Sequence, residues 1–194
     1  MAIWKFNSRR RELRIIYIHE QCIPELTKSI VSIGAFDGVH KGHQAVIKNA
    51  VEKAKELKIT NVVYTFDPPP RSYFQGAQIL TPIEEKVERL QNLGVEHVIV
   101  IRFDESYITK SASCFVQDLK RLNPVDIYIG QDFRFGKNRE GNIELLREHF
   151  NISIVKDICC EEGERISSTR IRNYVCHGEL QKSSSLLGWS FKTI

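Results

Sequence analysis

The chain has 194 residues, a formal charge of +4 and 42% hydrophobic residues, the proportions of a water-soluble domain with a sizeable core. No apolar run is long enough for a membrane span, and Met1-Ala2-Ile3-Trp4 does not open a secretory signal. So small a net charge, with no stripe of basic and aromatic residues, gives no ground for nucleic-acid binding.

Arg9, Arg10, Arg11 and Arg14 form a basic run that reads as a solvated N-terminal face. Apolar, β-rich runs then alternate with helical patterns. Strands are predicted at 15–18, 30–34, 62–66, 97–101, 126–130 and 152–155, and helices at 41–57, 83–93, 112–122, 143–149 and 168–176. In the first helix Val46, Ile47, Ala50, Ala54 and Leu57 recur at helical spacing, while Lys48, Lys53, Lys55 and Lys58 fall on the other side. Pro82 opens the second helix and Gly94 follows its end. Such alternation predicts an α/β, Rossmann-like parallel sheet with helices on both faces. Sheets of this kind bind ligands beyond the carboxyl ends of their strands. Neither a repeat nor a linker divides the chain, so one domain over 1–194 is expected.

The residues that carry chemistry fall where that fold puts a site. Ile33-Gly34-Ala35-Phe36-Asp37-Gly38-Val39-His40-Lys41-Gly42-His43 runs from a strand end into a helix start. A helix start offers unpaired N–H groups and a positive dipole end, a natural anion site. His40 and His43, three apart, project to one side of the first turn and can donate to phosphate oxygens. Asp67, followed by Pro68-Pro69-Pro70, ends the next strand and either orients a substrate or caps a turn. Gly130-Gln131-Asp132-Phe133-Arg134-Phe135-Gly136 follows another strand; Asp132 can hold a hydroxyl or a metal, and Phe135 either covers a flat ring or packs in the core. Ser167-Ser168-Thr169 opens the late helix with Arg170 and Arg172 behind it. Its hydroxyls suit a helix cap or a phosphate, and only one of the two arginines can face inward. Neither a phosphate loop with G-x-x-x-x-G-K-S/T nor a dinucleotide G-x-G-x-x-G is present. Cys22, Cys114, Cys159, Cys160 and Cys176 show no C-x-x-C pair and read as reduced thiols of a cytoplasmic protein.

Four ordered segments, 33–44, Thr65-Phe66-Asp67-Pro68, 130–136 and Arg165-Ile166-Ser167-Ser168-Thr169-Arg170-Ile171-Arg172, together resemble the FMN adenylyltransferase module of prokaryotic FAD synthetases, members of the H-x-G-H nucleotidyltransferase superfamily. The resemblance runs from about residue 13 to 188. It implies transfer of AMP from ATP to FMN with magnesium, giving FAD and pyrophosphate. It also implies ATP contacts from Gly34, Phe36, His40, His43, Asp132, Ser168, Thr169 and Arg172, with His40, His43 and Arg172 as the catalytic set. Asp132 would stand near the metal, and Asp67, Phe74, Phe115 and Phe135 would border FMN. Two departures stand out. Pro69 replaces the histidine of the family's Asp-Pro-His-Pro segment, and only Trp189-Ser190-Phe191-Lys192-Thr193-Ile194 follows the module, so a riboflavin kinase domain is not expected in this chain. The competing readings are a related nucleotidyltransferase with another phosphate acceptor and a non-catalytic flavin or nucleotide binder. ATP and FMN are the expected partners, with neither nucleic acid nor membrane.

Overall fold

The computed structural model describes the backbone of residues 14–18 and residues 23–190 in full; Arg9, Arg10, Arg11, Cys22 and residues 191–194 lie outside the described residues. Six strands, β1 (Arg14–Ile18), β2 (Ser29–Ile33), β3 (Thr60–Asp67), β4 (His97–Arg102), β5 (Pro124–Gly130) and β6 (Ile152–Val155), form one sheet in the order β1-β4-β3-β2-β5-β6. Every neighbouring pair is parallel.

Parallel strands need helical crossovers, and helices on both faces bury both sides of each strand. Alternate residues therefore serve opposite layers. On one face Val31, Ile33, Val62, Tyr64, Ile99, Ile127 and Ile129 pack with α5 (Ala112–Arg121) and α6 (Ile143–Arg147). On the other, Val63, Val98 and Val100 pack with α1 (Lys41–Leu57) and α3 (Ile83–Asn92). The α1 stripe buries Val46, Ile47, Ala50, Val51 and Ala54. Leu57, expected on that stripe, is 40% exposed because it falls in the last helical turn.

Three short helices, α2 (Pro70–Gln75), α4 (Glu105–Ile108) and α8 (Leu180–Leu187), were not predicted; α7 (Ser168–Cys176) was. α2 and α4 bury no residue, so no apolar stripe marks them in the sequence. α8 packs Leu186 and Leu187 against Ile166 and Ile171 at the start of α7.

From β2 the order runs outward through β3 and β4 on one side and through β5 and β6 on the other. The reversal opens a crevice at the carboxyl end of β2, the expected ligand position in this architecture. The segments after β2, β3 and β5 all leave from that edge.

Candidate functional site

The loop after β2 turns sharply before α1 begins. Phe36 and Val39 adopt left-handed backbone conformations, with φ of 47° and 41°, which side-chain-bearing residues rarely take. The turn folds the Phe36 ring back under Gly34; a Cβ at Gly34 would stand 2.8 Å from that ring. Phe36 is buried and meets His43 edge-on at 5.4 Å.

His40 is the N-cap of α1, its Nδ1 accepting from the backbone N–H of His43 at 3.3 Å. This fixes the tautomer, because a proton on His40 must then sit on Nε2. The two imidazoles stack with centroids 3.5 Å apart and planes 18° apart. Gly42 keeps that column uncrowded, since a Cβ there would lie 3.2 Å from the His40 ring. Burial pushes the His40 imidazole down to about 4, with Arg165 and Arg172 adding to the effect against a backbone hydrogen bond that opposes it. His43 is also held well below the usual histidine value, first by burial and then by the charges of His40, Lys86 and Arg172. Its Nδ1 is buried and has no hydrogen-bond partner among the described residues. The unliganded chain thus presents two neutral imidazoles among fixed cations, a setting in which an arriving polyanion favours protonation.

Asp37, not singled out from sequence, organises the wall opposite. Its Oδ1 accepts from the backbone N–H groups of Leu80 at 3.0 Å and Thr81 at 3.2 Å. Its Oδ2 accepts from Arg172 Nη2 at 2.5 Å, and its carbonyl accepts from Ser168 Oγ at 2.9 Å. The start of α7 is thereby fastened to the loop that carries the imidazoles. Ser167 is the N-cap of α7, accepting from Arg170 N at 3.3 Å, and Thr169 Oγ1 accepts from Arg71. Arg170 turns away to Cys160, Glu162, Glu164 and Tyr174, so Arg172 is the inward arginine of the two. Arg172, to which the resemblance gives an ATP contact, is buried, with Nη2 on Asp37 and Nε donating to Gln78 O at 2.6 Å.

Asp132, after β5, is exposed and pairs with Arg165 at 2.5 Å; Arg165 also reaches Asp157 at 3.1 Å. A Cβ at Gly130 would meet nothing within 4 Å, so the end of β5 borders open space. Among the described residues no group of three or more His, Cys, Asp or Glu could hold a metal ion. Asp132, paired with Arg165, is thus a single exposed carboxylate rather than part of a cage made by protein.

The aromatic residues implied for the flavin divide sharply. Phe74, on α2, is 63% exposed, edge-on to Tyr73 at 5.3 Å and Phe103 at 5.7 Å. Phe115 is only 2% exposed and packs between Tyr64 and Phe135, as core rather than as an open platform. Its position on the buried face of α5 explains the difference. Phe135 is also buried, and the partly exposed Phe133 stacks on it at 5.8 Å. Asp67 is half-buried at the end of β3, and burial raises its carboxyl against the opposing pull of Lys86.

Besides Asp37, sequence reading missed Lys86 and Arg89. Arg89 Nη1 donates to Gly38 O at 3.0 Å. Lys86 occupies the apolar side of α3 among Ile83, Val87 and Leu90, and a cation in that stripe was the available signal.

Comparisons with known proteins place the chain in a family. The FAD synthetase family profile matches residues 22–170. A protein of Geobacillus thermodenitrificans named for riboflavin kinase and FMN adenylyltransferase activities is 52% identical, over 84% of this chain and 92% of its own length. The bifunctional riboflavin kinase/FMN adenylyltransferase of Listeria monocytogenes is 34% identical over 93% of this chain, and that of Escherichia coli 36% identical over 84%. The chain spans 61% and 55% of the lengths of those two relatives. A solved structure described as a macrolide-efflux protein of Streptococcus pneumoniae superposes with a TM-score of 0.80 at 29% identity, covering 91% of this chain and 70% of that one. No described helix is long and apolar enough to cross a membrane.

Proposed function

Because the chain belongs to the FAD synthetase family, we propose that the crevice at the end of β2 is where AMP passes from ATP to FMN. The reading rests above all on the stacked His40–His43 pair at the start of α1, joined through Asp37 to the start of α7. Two helix N-termini then address one triphosphate from two sides.

A phosphate oxygen of FMN attacks the α-phosphorus of ATP in line. The bond from that phosphorus to the bridging oxygen breaks, and its electron pair leaves with pyrophosphate. No covalent intermediate with the protein is needed, so catalysis is positioning plus stabilisation of developing charge. His40 donates from Nε2, since its Nδ1 is occupied by the His43 N–H. His43 donates to the α-phosphate oxygens. Triphosphate binding raises both imidazoles from their depressed values and adds charge where the transition state gathers it. Ser168 and Thr169 border the outer phosphates, while Arg172 keeps α7 in place and supplies positive field from behind. Gly34 and Phe36 bound the adenosine. Magnesium bound with ATP would screen the phosphate charge, with Asp132 as the nearby carboxylate. Asp67 and the exposed Phe74 line the FMN side, with Phe133 and Phe135 forming its floor. The free thiols at Cys114, Cys159, Cys160 and Cys176 suit a reducing, cytoplasmic setting.

Incubating the chain with FMN, ATP and magnesium tests this directly, with FAD followed by chromatography. Pantetheine phosphate, glycerol phosphate and nicotinamide mononucleotide serve as competing acceptors. FAD should be the product formed; a different adenylylated product in its place would overturn the flavin assignment.

A further inference from the structure

Lys86 is 1% exposed. A lysine is almost never buried so completely unless its ammonium is satisfied. Here Nζ donates to Ala35 O at 3.1 Å and to Phe66 O at 3.0 Å. Ala35 belongs to the loop that carries the imidazoles after β2, and Phe66 immediately precedes Asp67 at the end of the neighbouring strand β3. Thr65 Oγ1 donates to the same Ala35 carbonyl at 3.0 Å, so the two segments are joined by neighbouring bonds. Hydrogen bonds from a charged donor are roughly twice as strong as neutral ones.

We propose that Lys86 is a positioning residue for nucleotidyl transfer: its buried ammonium fixes the spacing between the triphosphate wall and the acceptor wall of the crevice. The inference rests on the adenylyltransferase reading for its consequence in turnover, but not for the tie itself. In-line attack requires the acceptor oxygen within about 3–3.5 Å of phosphorus, and an error of about 1 Å costs on the order of a hundredfold. A side chain that spans both walls without touching either substrate is placed to control that distance.

Lys86 also lies in a particular field. The Asp37 carboxylate faces it from the loop and Asp67 from the end of β3, while its own charge reaches His43 on α1. On α3 itself Glu85 is engaged by Arg89, and Glu84 acts on Asp67. Burial lowers the Lys86 ammonium to about 8 despite the two acids. The positive charge that strengthens both bonds is therefore lost on mild alkalinisation.

Two variants and the wild-type chain test the proposal. Lys86→Met keeps length and apolar volume but removes charge and donors. It should lower kcat about a hundredfold with the KM for ATP changed by no more than a few-fold. Lys86→Arg should restore part of kcat and move the alkaline limb of the wild-type kcat/KM profile, expected near 8, beyond 9. Amide hydrogen exchange of Lys86→Met, read without turnover, should accelerate together in residues 34–43 and in 71–76, the amide-bearing segment that follows Asp67-Pro68-Pro69-Pro70, while the strands of the sheet stay protected. A Lys86→Met chain with wild-type kcat and pH profile overturns the proposal, as does exchange that rises in neither segment or in only one. If Lys86→Met does not fold, the wild-type profile decides: a kcat/KM for ATP flat to pH 9.5 overturns the proposal, and a limb near 8 that Lys86→Arg moves upward sustains it. Failure of the wild-type chain to make FAD would sink the adenylyltransferase reading, and the exchange comparison would still decide the tie.

Discussion

Arg172 and Asp37, 135 positions apart in sequence, meet at 2.5 Å with both side chains buried. The pair holds the start of α7 against the imidazole loop. Breaking a buried pair from one side strands a charge, which costs about 3–5 kcal/mol. Asp37→Asn should therefore lower the melting temperature by roughly 10 °C. Asp37→Asn combined with Arg172→Gln should recover part of that loss. A double-mutant cycle in thermal unfolding measures the coupling, and additive effects would show that the two do not interact.

On the proposed reading, His43→Ala removes a donor to the α-phosphate. Turnover should fall roughly a hundredfold to a thousandfold, with a much smaller change in ATP affinity, because the contact strengthens in the transition state. Steady-state kinetics beside equilibrium ATP binding separates the two effects.

The stability of the unliganded chain should depend on mild acid through His40. The folded-state value of about 4 lies below the ordinary 6.5, so between these values the unfolded chain takes up a proton that the folded chain refuses. The stability contribution is whole above about 6.5 and is lost as pH falls toward 4, amounting to about 3 kcal/mol. His40→Asn keeps an N-cap acceptor for the His43 N–H and removes the titration. Urea unfolding of the variant should fall less steeply between pH 6.5 and 4 than that of the wild type. Saturating ATP should raise the imidazole value, visible by NMR as a later-titrating ring.

Phe74 and Phe115 should answer substitution in opposite ways. Phe74→Ala truncates an exposed ring, so stability should change little while the KM for FMN rises several-fold. Phe115→Ala empties a core position and should cost about 3–5 kcal/mol. Calorimetry with FMN titration distinguishes the two, and a stability loss at Phe74 equal to that at Phe115 would contradict their placement.

The six strands and helices α1, α3, α5, α6 and α7 were legible because each carries apolar positions at a period that local chemistry imposes. β2 and β3 alternate branched residues between two buried faces, and α1 repeats its apolar positions every three to four residues. The imidazole pair was equally legible, since His40 and His43 sit one helical turn apart wherever the helix lies. α2 and α4 were not, since neither buries a residue and so neither carries an apolar stripe; Phe115 lies in the core, and an aromatic residue on a helix fits a core or a ligand platform equally well.

The sequence by itself determined the parallel α/β layering and the helix start that displays two imidazoles, because both follow from spacing along a few neighbouring residues. Tertiary structure alone decided which charges face the crevice and which support it. Arg172 is spent on Asp37, and Lys86 lies under the loop rather than in solvent. The partner of each is set by the packing of α7 and α3 against the sheet edge, and no local pattern encodes a contact between residues 135 or 51 positions apart.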